Sequence, residues 1–295
     1  MSGINFKRYF ILLIVFFCVL GVSGFGAGNA KALVLQEMSW LDVKEYLKTN
    51  DMVIIPLGAT EQHGPHLPLG SDYYEAFGIS KIISEKTGVV VVQVLFVGYS
   101  IYHSGFPGTL SIKPETMEKV LFETVEVLLK YGFRRFMFLN YHGGNNIVQD
   151  NVIHRINHST KGIAVAIGIG NSIQKEDEGD FFDWHSGKSE TSIMLYLRPD
   201  LVRMDRAEKP VITFTPQMKE LRELSKKYPE LMHVWQKLFG VPAETAKGGA
   251  SHELSSNGVW SFSHPRTASK KIGEESVKKM VDTAVSFINA WKKVK

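Results

Sequence analysis

Apolar and polar positions fall into blocks along the chain, and the period changes from block to block. Short apolar runs occupy 51–57, 88–96, 133–139 and 163–169, the second rich in β-branched residues. Runs of this length without polar alternation predict strands buried on both faces. Between them the apolar spacing widens to three and four residues, which predicts helices over 41–48, 73–86, 114–130 and 145–157. The third carries Val120, Leu121, Val125, Leu128 and Leu129 at helical spacing, with Pro114 at its start and Gly132 just past its end. Buried strands alternating with helices predict an α/β fold: a three-layer α/β/α sandwich around a mostly parallel sheet. Such sheets take ligands at the carboxyl ends of their strands.

The pattern loosens after Asp205. A helical spacing over roughly 217–239 is followed by Gly248-Gly249 and a Ser-rich segment, and a last helix is predicted over 274–293. Residues 206–262 are therefore expected to be an insertion or lid on the sandwich, not a separate domain. No internal repeat or low-complexity tract interrupts the chain.

The first residues follow another logic. Lys7 and Arg8 precede an apolar run from Tyr9 to Val22, then small residues ending in Ala30-Lys31-Ala32. This is the charged, apolar, small-residue layout of a secretory signal peptide over 1–32, with a mature start at Leu33. The apolar run, about 13 residues, falls short of the roughly 20 that a membrane span needs. The expectation is an exported protein, periplasmic or secreted, with no membrane association after cleavage; an uncleaved anchor is the alternative. Phe17 before Cys18 argues against lipidation there.

Removing that segment changes the charge picture. Lys7, Arg8 and Lys31 leave without any acidic residue, so the formal charge falls from +4 to about +1. No basic run interleaved with aromatics remains, and nucleic acid is not an expected partner. Cys18, the one cysteine, leaves too, so any metal must rest on His and carboxylates.

Three clusters carry candidate chemistry. The first follows the first strand: Gly58-Ala-Thr-Glu61-Gln-His63-Gly-Pro-His66-Leu-Pro-Leu-Gly-Ser-Asp72. Glu61, His63 and Asp72 offer carboxylate and imidazole at a strand end, a donor set suited to zinc, iron or manganese. The second, Asn140-Tyr141-His142-Gly143-Gly144-Asn145, brings His142 to the sheet edge beside two glycines, with Asn145 placed to cap the next helix. The third is Asp183-Trp184-His185-Ser186-Gly187-Lys188-Ser189-Glu190-Thr191-Ser192. A helix beginning near Ser186 would set Glu190 one turn beyond His185, one ligating metal while the other handles protons.

The stretch 58–72 resembles the creatininase family signature, G-x-T-E-Q-H-G-P-H-L-P-L-x-x-D. Three further segments are similar to that family's other motifs: His103-Ser-Gly-Phe-Pro-Gly-Thr-Leu110, the 140–145 segment, and His185-Ser-Gly-Lys-Ser-Glu-Thr-Ser192. The resemblance runs in order from about residue 36 to about 205. It implies a creatininase-like amidohydrolase domain over 33–295 with two divalent metal ions, zinc first, with iron or manganese as alternatives. Glu61, His63, Asp72 and His142 map onto ligands, Asp72 bridging the two ions. In creatininase itself the residue two after that histidine is a ligating glutamate, whereas here it is Gly144. The resemblance moves that duty to Glu190 as the fifth ligand and makes His185 the catalytic histidine. His66 and His103 would support ligands or touch substrate, and Trp184 would wall the pocket.

The implied chemistry is hydrolysis of a non-peptide or cyclic amide C–N bond in a small molecule. A hydroxide bridging two cations about 3.5–4 Å apart would attack the carbonyl, and His185 would deliver a proton to the departing nitrogen. A homo-oligomer, a hexamer, is implied by the resemblance alone. Gly144 argues against creatinine as the substrate, and 257–265 lacks the acidic residue of a G-V-x-G-D-P stretch common in the family. Two other classes stay open: an exported, non-catalytic metal- or ligand-binding protein of the same fold, and a two-metal phosphoesterase. The latter would want Arg or Lys near the ions, and these loops offer Lys188. His154, His158, His233, His252 and His264 fall outside any motif and are expected to be structural.

Overall fold

A computed structural model describes the protein over residues 31–167, 183–228 and 235–294. In chain order the elements are α1 (Trp40–Tyr46), β1 (Met52–Leu57), α2 (Ser71–Thr87), β2 (Val90–Val91), α3 (Pro114–Tyr131), β3 (Arg135–Asn140), α4 (Asn146–Ser159) and β4 (Ile163–Ala166). Then come β5 (Asp183–His185), α5 (Lys188–Leu197), α6 (Pro216–Lys227), α7 (Ser251–Leu254), β6 (Trp260–Ser261) and α8 (Lys270–Trp291). The central sheet runs β2-β1-β3-β4, every neighbouring pair parallel. This is the predicted α/β class. The segment 1–32 expected to be a leader lies outside the described residues up to position 30.

The two-residue period of the strands separates two cores. Val53, Ile55 and Leu57 of β1 cluster with Phe136 and Phe138 of β3 and with Leu121, Val125 and Val148 of α3 and α4. Met52 and Ile54 cluster instead with Met137, Leu139, Ile79 and Ile83, and with Val281 and Ile288 of α8. Alternate side chains of one strand thus serve opposite faces, which gives three layers. All six β1 residues are buried, and each large apolar side chain so buried is worth roughly 1.5–3 kcal/mol. The predicted site therefore follows a fully buried strand. Among the described residues no helix is long and apolar enough to cross a membrane.

Several boundaries differ from expectation, each for a local reason. The run 88–96 yields only Val90–Val91 as strand, although the Val92 N–H still reaches the Ile54 carbonyl. Beyond it the Gln36 side chain bonds the Gln93 backbone, so a side chain takes the place of a neighbouring strand. For the run 163–169, β4 ends at Ala166, and 168 and 169 lie outside the described residues. Among the described residues of the predicted helix 217–239 stand α6 and a 3-10 turn at Trp235–Leu238; 229–234, His233 among them, lie outside the described residues. The last helix starts earlier than predicted because Ser269 caps it, its hydroxyl accepting from the Ile272 N–H at 3.3 Å.

The 206–262 stretch returns to the site. Its β6 pairs antiparallel with β5, setting Trp260 opposite His185.

Candidate metal centre

Strand register brings the first two motifs together. β1 and β3 pair with Leu57 opposite Asn140, so both strands end at the same edge. The Tyr141 N–H closes that edge on the Leu57 carbonyl at 2.9 Å. From there β1 runs into the loop carrying Glu61 and His63, while β3 delivers His142. Gly58 lets α2 approach, because a Cβ there would lie 2.5 Å from the Tyr73 Cα. That closeness puts Asp72, in the first turn of α2, beside the loop, and a carboxylate there also suits the positive helix end.

Asn145 has a different task from the predicted cap. It makes no side-chain cap to α4. Its amide instead donates to the Gly58 carbonyl at 2.9 Å and its Oδ1 accepts the Tyr99 N–H at 3.1 Å. Asn145 thus pins three loops at the sheet edge. That long-range use outweighs the local cap because it satisfies buried backbone groups.

The imidazoles are oriented by carbonyls behind them. His63 Nδ1 donates to the Glu61 carbonyl at 3.0 Å, which leaves Nε2 facing Asp72 Oδ1 at 3.0 Å. His142 Nε2 donates to the Tyr99 carbonyl at 2.9 Å, with the Ser100 and Tyr102 hydroxyls at 3.2 and 3.3 Å. Its Nδ1 then faces Glu61 Oε2 at 3.2 Å and Asp72 Oδ2 at 3.1 Å. Both of those carboxylate oxygens are buried and lack a hydrogen-bond partner. Three acceptor atoms converging on one point need a positive charge between them. Two donor trios share Asp72: Glu61, Asp72 and His142, and His63, Asp72 and Glu190, each with its ligand atoms within 4.8 Å of one another. The oxygen and nitrogen donors and the orphaned carboxylate atoms fit a pair of divalent cations. A third trio, Glu61, His63 and His185, also meets that distance.

Ionisation follows from this crowding. Burial disfavours a charged His63, but the Asp72, Glu190 and Glu61 carboxylates overcome it and hold the imidazolium up to about 10. His142 behaves alike, burial opposing and Glu61 and Asp72 prevailing, well above the usual histidine range. Burial also opposes ionisation of Asp72, yet His63 and His142 hold its carboxyl below the usual range. Protons thus occupy positions where cations would sit.

The third motif enters from β5 and α5. α5 begins at Lys188, two residues later than expected, and Ser186 in the turn adopts a positive φ of 58°. A non-glycine residue there is strained. The turn folds Glu190 back so that its Oε2 accepts the Ser186 N–H at 2.5 Å and lies 3.9 Å from His63 Nε2. Burial raises the Glu190 carboxyl to about 8, with Asp72 adding to it and His63 partly offsetting it. His185 Nδ1 lies 3.7 Å from Glu61 Oε1. Burial, then His63 and His103, keep His185 neutral, well below the usual range. A buried neutral imidazole beside the carboxylates can take up a proton.

The remaining predicted residues divide. His103 Nε2 lies 3.2 Å from Glu61 Oε1, so it braces a candidate ligand. His66 instead ties the first loop to α5 through Nε2 and Thr191 Oγ1 at 2.9 Å. Trp184 is half-exposed, its ring edge-on to Phe239 at 4.8 Å. Trp260 packs against the His103 and His185 rings at 5.1 and 5.9 Å. Sequence reasoning passed over Gln62, which is buried among both histidines, and Glu75, fully buried one turn after Asp72. Burial, then Glu190 and Asp72, push the Glu75 carboxyl well above its usual range, and its Oε1 has no hydrogen-bond partner. The i, i+3 spacing from Asp72 on a predicted helix was the available signal for Glu75.

Comparison with known proteins fits this geometry. The family model described as creatininase, creatinine amidohydrolase, matches residues 36–288. The chain is 30% identical over 182 residues to the 3-dehydro-scyllo-inosose hydrolase of Thermotoga maritima, covering 58% of each chain. It is 34% identical over 166 residues to the mycofactocin precursor peptide peptidase of Mycolicibacterium smegmatis, covering 52% of this chain and 61% of that one. It is 30% identical over 213 residues to the creatinine amidohydrolase of Pseudomonas putida, 63% of this chain and 80% of that one. The matched stretches thus span about three-fifths of the first two relatives. Among solved structures, a manganese creatininase superposes with a TM-score of 0.68 at 24% identity, covering 89% of this chain and 100% of that one. A glutamate-to-glutamine creatininase variant of the zinc–zinc type gives 0.67 at 24% identity, covering 90% and 100%.

Proposed function

The chain belongs to the creatininase family, and from that premise we infer that it is a metal-dependent hydrolase of a non-peptide or cyclic amide C–N bond in a small molecule. The observation that carries this reading is the pair of buried donor trios sharing Asp72 at the carboxyl edge of the sheet. Glu61, Asp72 and His142 would hold one divalent ion, and His63, Asp72 and Glu190 the other. Zinc or manganese suits this donor set, and creatininases are described in both forms. Two such ions supply a nucleophile from water near neutral pH and polarise the carbonyl under attack.

The chain's own residues do the rest. His63 and His142 are aimed by the Glu61 and Tyr99 carbonyls, which fix the nitrogen each turns inward. His185, neutral and buried, would accept the proton at Nδ1 and pass it to the departing nitrogen. Trp260 behind it, with His103, limits water around that ring. Gly144 stands where creatininase has a ligating glutamate, which sets the substrate apart from creatinine. The 1–32 leader reading adds export, with this chemistry carried out in the periplasm or outside the cell, by a homo-oligomer.

Elemental analysis of purified protein tests the reading together with a panel of cyclic amides, formamides and a cyclic ketone. Bound metal with metal-dependent amide turnover is expected. Protein that binds no divalent metal, or that turns over only the ketone, would overturn it.

A further inference from the structure

Gln62 lies between Glu61 and His63 and is buried, with its side-chain amide in the middle of five polar groups. The Oε1 atom accepts the Gly64 N–H at 3.0 Å, which fixes which end of the amide points inward. Inward, Nε2 lies 3.1 Å from the Gly258 carbonyl, 2.8 Å from Ser251 Oγ, 2.9 Å from His103 Nδ1 and 3.0 Å from His185 Nε2. Gly258 makes the approach possible, since a Cβ there would lie 1.9 Å from Gln62 Oε1.

Hydrogen-bond roles then settle the His103 ring. An amide NH2 only donates, so His103 Nδ1 must offer a lone pair and its hydrogen sits on Nε2. That Nε2 is the atom 3.2 Å from Glu61 Oε1, where it donates to the carboxylate. His185 Nε2 lies 2.6 Å from the backbone carbonyl of the same Gln62, and a carbonyl only accepts. The same Nε2 also lies 3.0 Å from the Gln62 amide nitrogen, a donor, so these contacts hold the His185 ring without fixing its tautomer, while its Nδ1 faces Glu61. One residue, through its side chain and its carbonyl, holds two stacked histidines beside Glu61, with an N–H from His103 on the carboxylate.

We propose that Gln62 is a positioning residue, setting the His103 tautomer, holding the His185 ring and tying both to the Ser251 and Gly258 segment. Resting on the ligand reading above, it gives the 206–262 stretch a direct line to the centre. The reach is Ser251 and Gly258 to the Gln62 amide, to His103, to Glu61.

The test uses full-length protein labelled with 15N-histidine, with metal stripped and then restored. Long-range 1H–15N correlation spectra report which ring nitrogen carries the hydrogen. His103 is expected as the Nε2–H form without metal, and an Nδ1–H signal from it would overturn the proposal. Gln62→Leu should lose roughly 10–100-fold in metal affinity and kcat, the usual cost of an outer-sphere partner, with KM little changed. His103→Gln keeps a donor where Nε2 stood and should retain metal affinity within a few-fold, while His103→Leu should fall like Gln62→Leu. Equal losses in the two His103 variants would also refute the proposal. The tautomer spectrum decides even if no amide is turned over, so failure of the relay and failure of the hydrolase reading are separable.

Discussion

Gly144→Ala isolates the backbone support of His142. A Cβ at 144 would lie 2.2 Å from the Tyr99 carbonyl, 2.5 Å from His142 Nε2 and 2.8 Å from the Tyr102 hydroxyl. Real Cβ atoms do not approach so closely, and the first obstacle is backbone. The carbonyl in the way is also the acceptor that holds His142 Nε2 at 2.9 Å. Relief of the clash must therefore move either the Tyr99 segment or the ring. Overpacking of this kind costs about 1–3 kcal/mol, and a buried donor losing its acceptor costs about 1–3 kcal/mol more. Allowing for partial relaxation, a loss of about 2–4 kcal/mol corresponds to a Tm drop of roughly 5–15 °C for a chain of this size.

The neighbouring glycine supplies the control. A Cβ at Gly143 meets nothing within 4 Å, so Gly143→Ala should stay within about 0.5 kcal/mol, as surface changes do. Thermal melts of both variants, metal-free and metal-loaded, with chelator competition for affinity, measure the difference. Gly144→Ala should also weaken metal binding by roughly 10–100-fold through His142. If the two variants melt together, or if Gly144→Ala binds metal as the parent does, the account of His142 is wrong.

Metal uptake near pH 7 should release protons, because His63 is held up to about 10 and Glu190 up to about 8 without metal. Both must lose their protons to ligate, so affinity rises with pH up to those values; calorimetry in buffers of different ionisation enthalpy reads the release, and pH-independent affinity would count against the site. In the metal-free protein the raised His63 pKa adds stability that is fully present below about 6.5 and is lost as pH rises through about 10. Glu61→Gln and Asp72→Asn should abolish metal-dependent turnover, while His185→Ala should keep its metal and lose most of its rate; metal loss from His185→Ala would make His185 a ligand, as the third donor trio allows. Expressed with its first 32 residues in a secreting host, the protein should be recovered outside the cytoplasm beginning at Leu33, as N-terminal sequencing would show; Leu33 already donates its N–H to Ser84 Oγ at 2.9 Å within the fold.

Apolar patterning was enough for the sheet and its layers, because β1 and β3 are buried on both faces and their runs carry no other signal. The extent of β2 was hidden, since Gln36, more than fifty residues away, decides where pairing stops. The ligand candidates were legible as residue types at strand ends, and the structure brings Glu61, His63, Asp72, His142, Glu190 and His185 together. What joins them was not legible. The uses of Gln62 and Asn145 depend on loops that meet only after register is set, and each residue alone reads as an ordinary polar loop position.

Gly144 ties these strands of argument. A glutamate there would need space that the Tyr99 carbonyl and the Tyr102 hydroxyl now fill, and those groups are the ones that aim His142. Under the proposed reading the carboxylate would come instead from Glu190, which lies 3.9 Å from His63 Nε2 across a turn strained at Ser186 and held by the Ser186 N–H. Restoring glutamate at 144 alone should weaken the centre, because it would evict the support of His142 while Glu190 still occupies the other side.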